Sequence, residues 1–526
     1  MINTVPTSES AQPRFRTRLV GAGWAAWAGL VSGALGLGIA HLLAQLVNPQ
    51  ASPVIAVGGA AIDATPTWLK DYAIRQFGTN DKHVLLSGIV VVLALLTMAV
   101  GVLAARRFFW GAAAVGALGV VAVAAELRRP EAHWYYPWPT VVGLGVAGLV
   151  LQQLLRRREN PPKVEEKPTS VLGTRRSFLA LSAAAAVGSV VAIGVGNALS
   201  KAKSVASARL AVRLPKPRDP APALPTGINP NVAGLSSFIT PNSDFYRVDT
   251  ALVLPQVDPA DWQLKIDGMV AHPFSLSLDD ILAMGLVERV ITMTCVSNEV
   301  GGQYVSTAKW LGVPLKTLLD KAGLDPKAEQ LFSTSTDGFT TSTPIKVALD
   351  GRDAMIAVGM NGEPLPIAHG FPARMLVPGL YGYVSGCKWI KSITATTYSA
   401  KKAYWTQRKW DINGPIYTES RIDVPAGLST VKAGVVPVAG VAWAQHRGVS
   451  KVEVSIDDGP WQPTNLSETV SDDTWRQWWY RWNATSGSHR IRVRATDGTG
   501  AVQTDHRQGT FPRGATGIQE LIVNVS

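Results

Sequence analysis

Cysteine is nearly absent: Cys295 and Cys387 are the only two in 526 residues. Two cysteines exclude a disulfide-rich scaffold, a four-cysteine cluster and a structural zinc knot. No Cys-x-x-Cys-His run occurs, which excludes that form of haem attachment. Charge is also scarce, with charged residues at 17% of the chain against 47% hydrophobic. This balance excludes a disordered chain and is too apolar for an ordinary soluble protein of this length. The length favours several units rather than one. A net charge of +12 raises the question of nucleic acid. The basic residues, however, gather at the ends of apolar runs, as membrane topology requires, so nucleic acid is the weaker reading.

The apolar excess sits in the first 200 residues. Five uncharged stretches reach or approach the ~20 residues that a bilayer core demands. They are Leu19–Val47, Val84–Ala105, Phe108–Ala125, Trp138–Leu155 and Phe178–Ser200. One such helix can be buried in a soluble protein, but five in succession do not make a plausible soluble core. The sequence therefore divides into a cytoplasmic N-terminus (1–18), a four-helix transmembrane region (19–155), a basic cytoplasmic loop (156–177) and a fifth anchor (178–200).

Orientation follows from Arg14, Arg16 and Arg18, from Arg106 and Arg107, and from the cluster Arg156, Arg157, Arg158, Lys163, Lys167, Arg175 and Arg176. The positive-inside rule puts these in the cytoplasm. Five crossings then place everything after residue 200 on the extracytoplasmic side of a multi-pass cell-membrane protein. The run Thr174-Arg175-Arg176-Ser177-Phe178-Leu179, before an alanine-rich segment, resembles a twin-arginine export signal. The same residues equally suit an ordinary membrane anchor with cytoplasmic arginines. His41, His83 and His133 lie in or near the spans without two-ligand spacing, so haem is not expected.

Residues 201–230 are rich in Lys, Ala and Pro and read as an extended linker. From 231 to about 410, short β-like runs such as Trp262–Ile266 alternate with amphipathic pieces such as Ser277–Met284 and Leu315–Ala322, an α+β pattern. From 425 to 526 the helices vanish. Lys451–Ile456 and His489–Arg494 alternate with period two, and each ends at an Asp-Gly-rich turn. This pattern argues for an immunoglobulin-like β-sandwich. Trp475, Trp478, Trp479 and Trp482 read as sandwich core and domain contact rather than as a carbohydrate platform.

Cys295 stands where the run Val290–Thr294 meets the polar loop Val296-Ser297-Asn298-Glu299-Val300-Gly301-Gly302. A thiol there faces a cleft, or is buried as most free cysteines are. A nucleophilic role would require a base, and spacing alone cannot position His272 or His369 for it.

The surrounding motifs occur in order: Phe245-Tyr246-Arg247, the Cys295 loop, Trp310–Leu315, His369-Gly370-Phe371-Pro372-Ala373-Arg374, Val377-Pro378-Gly379, and Gly386-Cys387-Lys388-Trp389. Over residues 230–410 this series resembles the molybdopterin domain of the sulfite oxidase family, in its membrane-anchored bacterial type. The C-terminal segment is similar to that family's dimerisation domain. The fold implied is multi-domain: N-terminal transmembrane α-helices, an α+β molybdopterin domain and an immunoglobulin-like β-sandwich. The implied cofactor is Mo-molybdopterin. The resemblance makes Cys295 the metal-ligating thiolate and Arg247 a catalytic arginine beside Tyr246. His369, Arg374, Gly386, Cys387 and Lys388 become cofactor contacts, and Ser335 and Asp337 lie near another. Cys387 is then near the cofactor without ligating the metal.

One departure bears on substrate. Where sulfite oxidases carry two arginines after the ligand cysteine, this chain has Asn298-Glu299-Val300. A carboxylate there repels a dianion, so sulfite is disfavoured against a neutral, cationic or sulfoxide-type small molecule. Glu299 becomes a candidate for tuning the site or accepting a proton. The expected activity is oxygen-atom transfer, with an external electron carrier, a quinone or a cytochrome, and membrane lipid as partners. A homodimer is expected by analogy only. Two other readings stay open: an anchored binding protein with a degenerate cofactor domain, and a metal-free enzyme using Cys295 as nucleophile.

Overall fold

The computed structural model describes residues 12–66, 69, 72, 76–77, 81–129, 132–159, 171–202 and 205–526. Lys163 and Lys167 of the basic loop, and residues 1–11 of the N-terminus, lie outside the described residues. The chain divides into two compact units, Met1–Ser204 and Val205–Ser526.

The first unit is helical. Five of its helices are long and apolar enough to cross a membrane by length and composition: Ala22–Val47, Val84–Arg106, Phe108–Leu127, Trp138–Arg156 and Arg176–Ser200. Small residues such as Ala25, Ala28, Ala40 and Ala44 are buried between helices, while Val90, Val91, Leu95, Val120 and Val190 point outward. In lipid there is no hydrophobic gain from hiding large side chains, so close packing through small ones holds such bundles together. A shorter helix, Pro53–Ala64, follows the first span. Its 12 residues are too few for a crossing, and the sequence reading had not separated it from the loop. His41 meets Asn197 at 3.2 Å, tying the first span to the last.

The second unit holds four sheets. One runs in the order 274–277, 263–268, 390–396, 330–335, 340–344, with 263–268 parallel to 390–396. A second runs 287–294, 305–314, 355–360, 363–364, with 374–376 also paired to 355–360. Strand Gln263–Gly268 begins with the alternation expected of a half-buried strand, whereas Met355–Met360 is buried throughout. Helix Leu315–Ala322 follows strand Val305–Pro314 and ends on Gly323 in the left-handed conformation. It buries Leu315, Leu318 and Leu319 in the main core.

The last two sheets, 419–424/434–443/476–484/465–466 and 430–431/519–525/487–497/449–456/462–463, enclose a separate core. Val438, Ala442 and Trp478 of one meet Val452, Val454, Ile491, Val493 and Val523 of the other. The segments 451–456 and 489–494 are strands, as their period-two pattern implies. Trp475 and Trp478 are fully buried, and Trp475 Nε1 donates to Phe238 O of the preceding domain at 2.9 Å.

The segment read as an extended linker departs from that expectation. Residues 206–211 form a helix, and Val212, Leu214, Leu224 and Ile228 pack on the main core. Arg218 N donates to Leu286 O, and Asp219 both bridges Val287 and pairs with Arg289. From Val205 onward this is a strap on the domain rather than a free spacer. Its prolines suit an extended path whose few backbone donors find partners along a sheet edge.

Candidate functional site

Cys295 follows edge strand Val287–Thr294 and opens a loop that returns into strand Val305–Pro314. Cys295 N donates to Tyr304 O at 2.9 Å, Tyr304 N to Asn298 Oδ1 at 2.7 Å, and Asn298 N to Cys295 O at 3.0 Å. The thiol is half-buried and accepts from Ser297 N at 3.4 Å. Burial pushes the thiol up, while the Ser297 N–H and the Lys388 charge act against it. Tyr246 lies close enough to feel the Cys295 charge, and burial raises its phenol further still.

Three cations are gathered nearby. Arg247 Nε and Lys388 Nζ both bond one oxygen, Asp249 Oδ2, at 2.9 and 2.8 Å. Arg247 remains about a third exposed, whereas Lys388 and Asp249 are nearly excluded from water. Lys388 also donates to Ala368 O at 3.3 Å. Burial pulls its ammonium down to about 8, against the opposing pull of Asp249. Arg374 lies on the buried strand Arg374–Leu376, 5.3 Å from the Trp310 ring. Its Nη1 donates to His369 O at 3.3 Å, its Nε has no hydrogen-bond partner, and no carboxylate pairs with it among the described residues. Burial lowers its guanidinium to about 10.

His369 packs edge-on against Phe245 and shares a hydrogen bond with Asn242 O at 3.2 Å. Burial first, and then the charges of Arg374 and Lys388, hold its imidazole down to about 4, so it is neutral at pH 7. The turn between His369 and Arg374 depends on Gly370, at φ +113°. A Cβ there would stand 3.1 Å from both Arg374 Cβ and Lys388 Cα. Only glycine both adopts that backbone conformation and lets the two cationic segments approach so closely.

Gly386 abuts the same arginine, since a Cβ on it would stand 3.2 Å from Arg374 Nη2. Cys387 is completely buried, and burial raises its thiol strongly. Ser335 is buried at the end of strand Gln330–Ser335, where its Oγ accepts from Asp337 N at 3.4 Å. Asp337 in turn influences the Cys387 thiol. Glu299 is exposed on the loop after Cys295. The fold thus brings together Tyr246, Arg247, Cys295, His369, Arg374, Gly386 and Lys388, with Ser335 and Cys387 buried nearby and Glu299 exposed on the Cys295 loop.

Asp249, Asn242, Tyr304 and Trp310 also build the site, and the sequence reading had assigned none of them. Asp249 carries a faint signal, an acid two residues beyond Arg247, but such a pair ordinarily reads as a solvated surface contact. Only burial gives it weight.

The residues can be tested against the cofactor that the fold implies. A buried guanidinium with an unbonded Nε, beside a buried ammonium, is costly unless an anion compensates it. Thr336 Oγ1, on the adjoining loop, is also buried without a partner. An anionic pterin phosphate answers these unmet groups, and Cys295 supplies one soft thiolate donor. No group of three His, Cys, Asp or Glu side chains that could hold a bare metal ion occurs among the described residues. The residues fit molybdopterin.

Fold and site together define a molybdopterin-binding oxidoreductase domain, and residues 251–405 match the family described as "oxidoreductase molybdopterin binding domain". The chain carries a domain of the sulfite oxidase family. It is 30% identical over 319 residues to mitochondrial sulfite oxidase of Macaca fascicularis, covering 51% of this chain and 58% of that protein. The human sulfite oxidase is 28% identical over the same length and coverage. An NADH nitrate reductase of Solanum lycopersicum is 30% identical over 194 residues, covering 32% of this chain and 21% of that one. The chain therefore spans little more than half the length of the sulfite oxidases that it matches. Among solved structures, the sulfane dehydrogenase SoxCD of Paracoccus pantotrophus overlaps at a TM-score of 0.48 with 23% identity, covering 56% of this chain and 84% of that one.

Proposed function

We propose that this protein is a membrane-anchored, extracytoplasmic molybdenum-cofactor oxidoreductase that catalyses oxygen-atom transfer on a small molecule other than sulfite. The observation that carries the reading is the buried, anion-demanding set Arg374, Lys388 and His369 beside the half-buried Cys295 thiol. Bound there, the cofactor supplies oxygen-atom exchange coupled to a two-electron redox change.

The chain's own residues then have separate tasks. Cys295 donates a thiolate to the metal, and coordination overcomes the burial that otherwise keeps the thiol protonated. Lys388 and Arg374 meet the phosphate as fixed cations, and neutral His369 adds a hydrogen bond without adding charge. Arg247, the most exposed of the three cations, orients a substrate oxygen at the mouth. Glu299, exposed on the Cys295 loop, disfavours dianions and can receive a proton.

The five apolar helices anchor the chain in a cell membrane, and the arginines before the fifth support export of a folded, cofactor-loaded domain. The two C-terminal sheets fit an immunoglobulin-like dimerisation domain. An external carrier, a quinone or a cytochrome, would exchange electrons with it.

The deciding experiment measures molybdenum by mass spectrometry and oxidised pterin by fluorescence on detergent-purified protein, wild type beside Cys295→Ser. About one of each per wild-type chain, with pterin retained but activity lost in the mutant, is expected. Neither metal nor pterin under loaded expression conditions would overturn the reading in favour of an anchored binding protein.

A further inference from the structure

The loop that carries Cys295 is held at both of its ends by the C-terminal two-sheet domain. Strand Val287–Thr294 is the edge of its sheet, so its outer backbone groups need partners from elsewhere. Gln445, 1% exposed, supplies them at the strand's end: its Nε2 donates to Thr292 O and to Thr294 Oγ1, each at 3.1 Å. Thr292 N donates to Asp473 O at 2.9 Å, and Trp475 N donates to Thr292 Oγ1 at 2.8 Å. Cys295 follows at once.

The far side of the loop is gripped as well. Arg421, buried and paired with Asp423 at 2.6 Å, donates from Nη1 to Gly302 O at 3.0 Å. Gly301, at φ +77°, lies so close to Gln519 that a Cβ would stand 2.5 Å from its Nε2. Gln519 is itself fixed by Ile422 N at 2.6 Å. Five residues of the C-terminal domain thus hold a ten-residue loop: Gln445, Asp473 and Trp475 bond the strand that enters it, Arg421 bonds its far side and Gln519 presses on Gly301.

We propose that the C-terminal domain is a positioning device for Cys295, in which Gln445 and Arg421 set where the thiol points. The inference rests on the reading of Cys295 as the metal ligand for its functional meaning, but its geometry does not. A metal-ligating thiolate must be held to within a fraction of an ångström, and side chains on rigid strands of a second domain provide that better than a loop alone.

The test uses the full chain, expressed without molybdenum, and follows alkylation by iodoacetamide with intact-mass spectrometry. Cys295 is half-buried and Cys387 is fully buried, so Cys387 reports global unfolding within the same molecule. Gln445→Met keeps the side-chain volume and removes both hydrogen bonds to residues 292 and 294. Cys295 should then react about tenfold faster, as expected for losing one or two hydrogen bonds, with Cys387 still protected. An unchanged Cys295 rate overturns the proposal.

If Gln445→Met exposes both cysteines, Arg421→Lys decides. It keeps a cation against Asp423 while withdrawing the bond to Gly302, and the same two outcomes apply. In molybdenum-loaded protein, either variant should shift the Mo(V) electron-paramagnetic signal, a readout that a merely stabilising contact would leave alone. Accelerated alkylation in a protein that never binds molybdenum would retain the positioning role and remove the cofactor reading, so the two failures are distinguishable.

Discussion

Lys388 Nζ lies 2.8 Å from Asp249 Oδ2, and water reaches only a tenth or less of either side chain. The pair joins the segment that opens the second unit's site motifs to the one that closes them. Removing one member of a buried ion pair typically costs about 3 to 5 kcal/mol, because the other charge is left uncompensated. Asp249→Asn should therefore lower the melting temperature of the second unit clearly, by calorimetry or circular dichroism. It should also lower pterin content, since Arg247 and Lys388 lose their common anchor.

Arg374→Met should behave in the opposite sense in the empty protein. Arg374 is buried with an unbonded Nε and, among the described residues, no acidic partner, so its charge is held at a cost. The cofactor-free variant should melt at an equal or higher temperature than wild type, while pterin fluorescence after loading falls to background. A fall in both would mean that the guanidinium is structural.

Gly370→Ala should retain the fold but load poorly. The added Cβ meets Lys388 Cα at 3.1 Å, a backbone atom that cannot swing aside, at a φ that alanine disfavours. Molybdenum per chain is the measurement, and full loading would contradict the close approach.

Acid should loosen the C-terminal sheets through Asp497. Burial alone would raise this carboxyl, but hydrogen bonds from Thr499, Arg447, Ala501 and Thr418 hold it down to about 2. Its stabilising contribution is complete above the ordinary carboxylate value near pH ~4 and is lost as pH falls toward about 2. Asp497→Asn should flatten that part of the acid-unfolding curve, followed by tryptophan fluorescence.

Glu299→Arg should make sulfite a better substrate. Replacing an exposed acid by a cation on the Cys295 loop removes a repulsion and adds an attraction for a dianion. A lower KM for sulfite, steeper at low salt, is expected. No change would mean that Glu299 does not govern how sulfite is received.

Where the physics is periodic, the sequence was readable. Apolar length marked the five long helices, and alternation marked 451–456 and 489–494. Helix Pro53–Ala64 escaped because a 12-residue run that starts at a proline and contains Gly58, Gly59 and Asp63 looks like loop. The strap after Val205 was misjudged because proline-rich composition reports extension and says nothing about what the extension lies against. In the site, motif order brought Cys295, Arg247, His369, Arg374 and Lys388 into view. Asp249 and Gln445 stayed hidden because each acts through long-range burial: Asp249 is 139 residues from Lys388, and Gln445 is 153 from Thr292.

Strand Val287–Thr294 has its first half closed by Asp219 of the preceding strap and its second half by Asp473 and Trp475. These flanking pieces are made more than 250 residues apart on the ribosome. A sheet edge whose second cover is synthesised long after the strand itself stays open in the meantime. The cradle around Cys295 is therefore completed only after Trp475 has emerged, which sets the earliest moment at which a cofactor can be locked in.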